Sequence, residues 1–155
     1  MLMGIPMPLT LLKTNKFSIL LGVLIFIAPL SARASVGTVT EQIGQEASIS
    51  RDSDTIIVGT GTGINMNDTI TTSKAKLKLT FEDNTKVSIT QQSKLVIDDF
   101  VYDPNTNTGK LAMNVAMGTV RYASGAIAHN SRENVRLRTP TATISVRGTD
   151  FTMTV

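Results

Sequence analysis

Few side chains in this chain could act as chemical agents, and their spacing limits what they could do. His129 is the only histidine and there is no cysteine, so a multi-histidine metal centre and thiol chemistry are both excluded. A Ser-His-Asp relay would have to rest on His129, in the least patterned stretch of the chain, and no G-x-S-x-G surrounds any serine. Asp103, Asn105 and Asn107 echo the first half of a calcium loop. Only one of the three is a carboxylate, Gly109 comes one place late, and Asn114 stands where a bidentate Glu is needed. That segment reads as a hairpin loop. Gly59-Thr60-Gly61-Thr62-Gly63 lacks the G-x-G-x-x-G spacing, the following helix and the Lys-Ser/Thr pair of a phosphate loop, and reads as a turn that lets strands approach closely.

Two basic ribbons remain. Lys74, Lys76 and Lys78 alternate on one stretch, Arg136 and Arg138 on another, and either could meet phosphate or acidic polysaccharide. The plainer reading is solubility, with lysines on a wet strand face discouraging edge-to-edge pairing. Arg147-Gly148-Thr149 is the sharpest cluster: Gly148 permits a bend, Thr149 can hydrogen-bond across it, and Arg147 can pair a carboxylate such as Asp150 or Asp68. It reads first as a structural corner and second as a partner contact. Nothing in these patterns calls for a cofactor or a metal.

The N-terminus sets the compartment. Lys13 and Lys16 precede an apolar run of 14 residues, Phe17 to Leu30, followed by Ala32-Arg33-Ala34. As a helix that run would cover roughly 21 Å, short of the ~30 Å hydrocarbon core. This is a secretory signal over residues 1–34, with cleavage expected after Ala34, and an uncleaved membrane anchor is the alternative. Lys13, Lys16 and Arg33 leave with it, taking 15 basic residues down to 12 against 12 acidic. The mature chain is then formally neutral, which gives no support for nucleic-acid binding, and a membrane would be met only through an uncleaved signal. The expected location is periplasmic or secreted.

The elements that would hold any site are strands. From Val36 onward the chain is rich in Thr, Ser, Ile and Val, with period-two alternation and no sustained 3.6-residue apolar period. In Lys74–Phe81, residues Ala75, Leu77, Leu79 and Phe81 share one face. Glu82-Asp83-Asn84-Thr85 then turns the chain into Lys86–Thr90, forming a hairpin. Leu95 and Ile97 lead to an expected bend at Asp98-Asp99, and Asp103–Gly109 is a loop. Gly118 marks a bulge or tight bend between Leu111–Val115 and Val120–Tyr122. Ala123–Glu133 reads as a flexible surface loop. Val135 and Leu137, then Ala142, Ile144 and Val146, then Phe151, Met153 and Val155 alternate up to the last residue, where no turn or cap closes the strand, so a longer reading frame is expected to remain open.

Thr139-Pro140-Thr141-Ala142-Thr143-Ile144-Ser145-Val146-Arg147-Gly148-Thr149-Asp150-Phe151 resembles the closing motif of the FecR domain, T-P-x-A-x-x-x-V-R-G-T-x-F. Earlier landmarks follow in order. Asn67-Asp68-Thr69-Ile70-Thr71-Thr72 stands for the family's G-D-x-I-x-T step, Glu82-Asp83-Asn84-Thr85 for its D-G-S turn, and Met117-Gly118-Thr119-Val120-Arg121 for its strand ending in G-x-V. Asn67 and Asn84 replace glycines, and Asn tolerates positive φ well enough to keep those turns. The resemblance spans residues 56–155, with 35–55 as a lead-in strand region. It carries Thr139, Pro140, Arg147, Gly148, Thr149, Phe151 and Asp68 as motif residues, structural or partner-contacting. It implies the extracytoplasmic part of an iron-transport regulator, and because only 16 residues precede the apolar run, the cytoplasmic anti-sigma segment of such regulators is not expected here and a stand-alone exported form is.

The expected fold is all-β, a compact twisted strand stack similar to a short β-solenoid, with a two-sheet β-sandwich as the alternative. The expected role is a non-enzymatic binding or sensory module whose partner is an envelope protein or cell-wall component, or else a structural module of a larger surface protein. If the signal is cleaved as expected, mass spectrometry of the exported chain will show Ser35 at its N-terminus, and retention of residues 1–34 would instead establish the anchor.

Overall fold

A computed structural model describes residues 34–146 and 149–155. The signal segment and its apolar run lie outside these residues, as do Arg147 and Gly148. The described chain is built of strands: β1 Gly37–Ile43, β2 Ala47–Arg51, β3 Asp54–Ile57, β4 Gly63–Ile64, β5 Thr69–Thr72, β6 Lys76–Phe81 and β7 Lys86–Ile89. There follow β8 Ser93–Asp103, β9 Thr108–Met117, β10 Thr119–Ala123, the short helix α1 Ala126–Asn130, a 3-10 turn Arg132–Asn134, β11 Val135–Arg138, β12 Thr143–Ser145 and β13 Asp150–Thr154. No helix among the described residues is long and apolar enough to cross a membrane.

The strands form two sheets, one of six in the order β13-β10-β7-β6-β1-β4 and one of seven in the order β12-β11-β9-β8-β5-β2-β3. The fold is therefore all-β with two sheets and one common core. The lead-in residues enter both sheets, β1 pairing with β6 and β2 with β5. Most neighbours are antiparallel; β9 and β11 are parallel, in register Val135 to Leu111, a pairing that requires the chain to cross over through β10 and α1.

Alternation explains the core. Leu77, Leu79 and Phe81 of β6 are buried while Lys76 and Lys78 are exposed, because successive side chains of a strand point to opposite faces. Val87, Ile89, Val120 and Tyr122 extend the apolar face of the six-stranded sheet, and Ile49, Ile70, Leu95, Ile97, Leu111 and Met113 oppose it from the other. Phe81 stacks on Phe100 across the gap, ring centroids 5.4 Å apart. Burial of large side chains such as these is worth about 1.5–3 kcal/mol each.

The turns use the residues the sequence offered for them. Asn67 and Asn84 have φ of 66° and 64°, the left-handed conformation expected where the family has glycine. Gly118 has φ +90°, and a Cβ there would lie 2.0 Å from the Ser93 hydroxyl, so the tight step from β9 to β10 requires glycine. Gly59–Thr62 closes a turn through Thr62 N–H to Gly59 O at 3.0 Å.

Three expectations need correction. The bend at Asp98-Asp99 is a β-bulge within an unbroken β8, where the register against β9 shifts between Ile97 and Asp99. Ala142 and Val155, expected inward, are exposed. Ala123–Glu133 is a packed connection rather than a flexible loop: α1 buries Ile127 and Ala128. Its anchor is Asp83 in the β6–β7 turn, itself fully buried. The Asp83 carboxylate accepts from Thr85 N–H at 3.0 Å, the Thr85 hydroxyl at 2.8 Å and Ile127 N–H at 3.3 Å, while its backbone carbonyl accepts from Ala126 N–H at 2.8 Å. Since α1 has no capping side chain of its own, Asp83 satisfies its first donors from a distant turn.

This junction is closed by Gly125, where a Cβ would come within 2.3 Å of Thr85 N and 2.4 Å of Asp83 O. Gly125→Ala is expected to lower stability by about 1–3 kcal/mol through overpacking, read as a fall in the urea midpoint, whereas Ala123→Ser on the same connection should leave the midpoint nearly unchanged.

Candidate functional site

The motif residues separate into two places. Asp68 precedes β5 in the seven-stranded sheet, with 0 % exposure. Register explains its partner: Ser50 faces Thr69, which sets Arg51, one residue further on β2, beside Asp68. Arg51 Nε donates to Asp68 Oδ1 at 2.8 Å and Nη2 to Oδ2 at 2.7 Å, and Nη2 also donates to Gly63 O at 2.9 Å. Asn65 N–H donates to Asp68 Oδ2 at 2.8 Å. The bidentate contact raises the Arg51 pKa further. Asp68 thus ties β2, the β4 strand and the Asn65–Asn67 turn together, with both carboxylate oxygens accepting hydrogen bonds.

The closing motif lies at the other end of the sheets. Thr139 and Pro140 form the turn between β11 and β12: Thr139 N–H donates to Ala142 O at 2.8 Å and Ala142 N–H to the Thr139 hydroxyl at 3.1 Å. β12 is an outer strand of the seven-stranded sheet and β13 an outer strand of the six-stranded sheet, so the motif residues before Arg147 and those after Gly148 belong to different sheets. Thr149 O accepts from Ser124 N–H at 2.8 Å. Phe151 sits opposite Tyr122 with ring centroids 5.3 Å apart. Tyr122 is buried, which pushes its phenol pKa up.

Of the two carboxylates named for Arg147, both hold other guanidinium groups. Asp68 holds Arg51, and Asp150 accepts from Arg121, Nε to Oδ1 at 2.9 Å with Nη2 on Oδ2; this contact lowers the Asp150 pKa. Neither Arg51 nor Arg121 was singled out from the sequence, because a pairing signal exists only once strand partners are known. Asp68 and Phe151 lie in different sheets: Asp68 precedes β5, inside the seven-stranded sheet, whereas Phe151 is on β13, the outer strand of the six-stranded sheet.

The remaining candidates resolve simply. Asp103 builds a turn, accepting Asn105 N–H at 2.9 Å and the Thr106 hydroxyl at 3.0 Å, and these bonds lower its pKa. His129 is exposed on α1. Among the described residues no group of three His, Cys, Asp or Glu could hold a metal. A cleft of about 570 Å³ opens between Gln42, Ser48, Ile57 and Thr71, and its one carboxylate, Glu46, is held by Lys74 at 3.0 Å.

What is left open is backbone. In β10–β13 the doubly bonded pair Gly118–Val155 (3.2 and 2.9 Å) and the Ser124–Thr149 bond set the phase of the ladder. The alternation of an antiparallel pair then turns the N–H and C=O groups of Asp150, Thr152 and Thr154 away from β10. No strand pairs on that side among the described residues.

These features define an all-β, two-sheet domain whose described motif residues are distributed over both sheets. The profile of the FecR family, described as FecR protein, matches residues 68–155, more than half of the chain. The chain belongs to the FecR family, a regulator-related domain. No curated protein and no solved structure matches it.

Removing Arg51 would leave a buried carboxylate without its counter-ion. Because Arg51 is itself a quarter exposed, Arg51→Ala is expected to cost about 2–4 kcal/mol, somewhat below a fully buried pair. Arg51→Lys should recover only part, since an ammonium cannot supply two parallel N–H bonds. Urea unfolding of the three chains checks the order.

Proposed function

We propose that this chain is exported and acts in the periplasm or outside the cell as a non-enzymatic binding or sensory module, its partner an envelope protein that adds a strand to β13. Export is supported by Lys13, Lys16, the Phe17–Leu30 run and Ala32-Arg33-Ala34. A binding role rather than turnover is supported by the carboxylates of Asp68, Asp83 and Asp150, each engaged in hydrogen bonds that fasten strands or turns. The observation that carries the reading is the β13 edge: three outward backbone donors and acceptors on a strand that also holds Phe151 of the family motif. Strand addition draws its affinity from such main-chain bonds and its specificity from alternate side chains.

The test follows from the ladder phase. Thr152→Pro removes one outward N–H and leaves every bond to β10 intact, so thermal stability should stay close to wild type. Cross-linking in envelope extract should capture a partner with the wild-type chain and lose it with Thr152→Pro, and hydrogen exchange should show Thr152 and Thr154 amides protected in the complex. Equal capture by both chains would reject the β13 edge as the docking element.

A further inference from the structure

The lysines of β6 do not guard an edge. β6 lies between β1 and β7, and β7 between β6 and β10, so Lys76, Lys78 and Lys86 occupy the middle of the sheet, where there is no free ladder to protect. The edge-blocking reading of this ribbon therefore does not apply to it.

On the outer face of the six-stranded sheet these lysines meet Arg121. Lys78 faces Ser88, and Ser88 faces Arg121; Thr80 faces Lys86, and Lys86 faces Ala123. Lys78, Lys86 and Arg121 therefore step diagonally across β6, β7 and β10, with roughly 7–8 Å between diagonal neighbours, and Lys76 lies two residues from Lys78 on the same face of β6. Short side chains at Ser88 and Ala123 leave a trough between them: two shallow depressions of about 170 and 190 Å³ that share Lys78 and Ser88. Two carboxylates stand at its margins. Glu41 holds Lys78 at 2.5 Å and Asp150 holds Arg121. Lys76 and Lys86 are exposed and make no ion pair among the described residues. Four cations against two carboxylates leave the trough net positive, although residues 35–155 as a whole carry equal numbers of basic and acidic side chains.

We propose that this trough binds an acidic polysaccharide, a use of the molecule separate from strand addition at β13. Charge complementarity selects a polyanion. Its kind follows from what else lines the face. There is no aromatic side chain in the trough, so nucleic-acid bases have no stacking platform. The one guanidinium is already spanned by Asp150, so the planar fork suited to phosphate is occupied. Two free ammonium groups remain as point charges, with the hydroxyls of Ser88 and Thr90 between and beside them. Spaced carboxylates on a hydroxyl-rich chain match that pattern.

Polygalacturonate is the probe, titrated into the full chain by calorimetry at low ionic strength, with dextran and single-stranded DNA as comparators. Binding of polygalacturonate is expected, weakening as salt screens the contact, with none for dextran. Lys76→Gln/Lys86→Gln should weaken it about tenfold, whereas Lys94→Gln/Arg136→Gln, which removes the same charge from the other sheet, should leave it within about twofold. Amine acetylation of the wild-type chain tests the site without any substitution: polygalacturonate should shield Lys76 and Lys86 more than Lys94. No binding, equal loss in the two double variants, uniform shielding, or tighter binding of single-stranded DNA would each overturn the assignment.

Discussion

A slip of one residue in β6 would put Lys76 and Lys78 into the core and Leu77 and Leu79 into water, and that constraint governs the molecule. The side-chain period of a strand is two, so pairing register and burial are one decision. With β6 fixed by its apolar face, β7 must present Val87 and Ile89 inward and Ser88 outward, and β10 must present Tyr122 inward and Arg121 outward. The basic trough is the reverse side of the hydrophobic core. Neither face could be changed without the other.

Two buried carboxylates complete what apolar packing leaves open. A pair of stacked sheets has no reason of its own to hold turns and crossovers in place, since those segments contribute little apolar surface. Asp68 draws in Arg51 and Asn65 at one end, and Asp83 draws in Thr85, Ala126 and Ile127 at the other. Each is fully buried, and each is bonded to donors from separate elements, the condition under which a buried polar group is tolerated. Their positions, in the two turns where Asn67 and Asn84 take positive φ, explain why those turns must be tight: the carboxylate has to be aimed inward from a short reversal.

Local periodicity made the strands legible, and local chemistry made the turns legible. β6, β7, the Gly118 step and the two Asn turns follow from residues within a few positions of one another. What stayed hidden depends on distant partners. The Arg51–Asp68 pair exists because β2 lies beside β5, and α1 exists because Asp83, more than forty residues earlier, supplies its cap; five residues with two buried apolar positions carry no helical period to detect. The bulge in β8 was mistaken for a bend because Asp98-Asp99 looks polar in sequence, while the ladder to β9 runs on past it.

Four strands end the two sheets, and they are not equivalent. β4 has two residues and β12 three, too short to template another strand, and β3 has four. β13 has five, and its outward backbone groups come from Asp150, Thr152 and Thr154, small polar residues that neither block approach nor fill a core. Long exposed edges are usually blunted by a lysine, a proline or a bulge; β13 carries none of these. Its one charge, Asp150, is turned back onto Arg121 and so is drawn toward the sheet face rather than out past the edge. Among the described residues β13 is thus the longest of the four outer strands, and that asymmetry, more than any single side chain, is what the proposal of strand addition at β13 rests on.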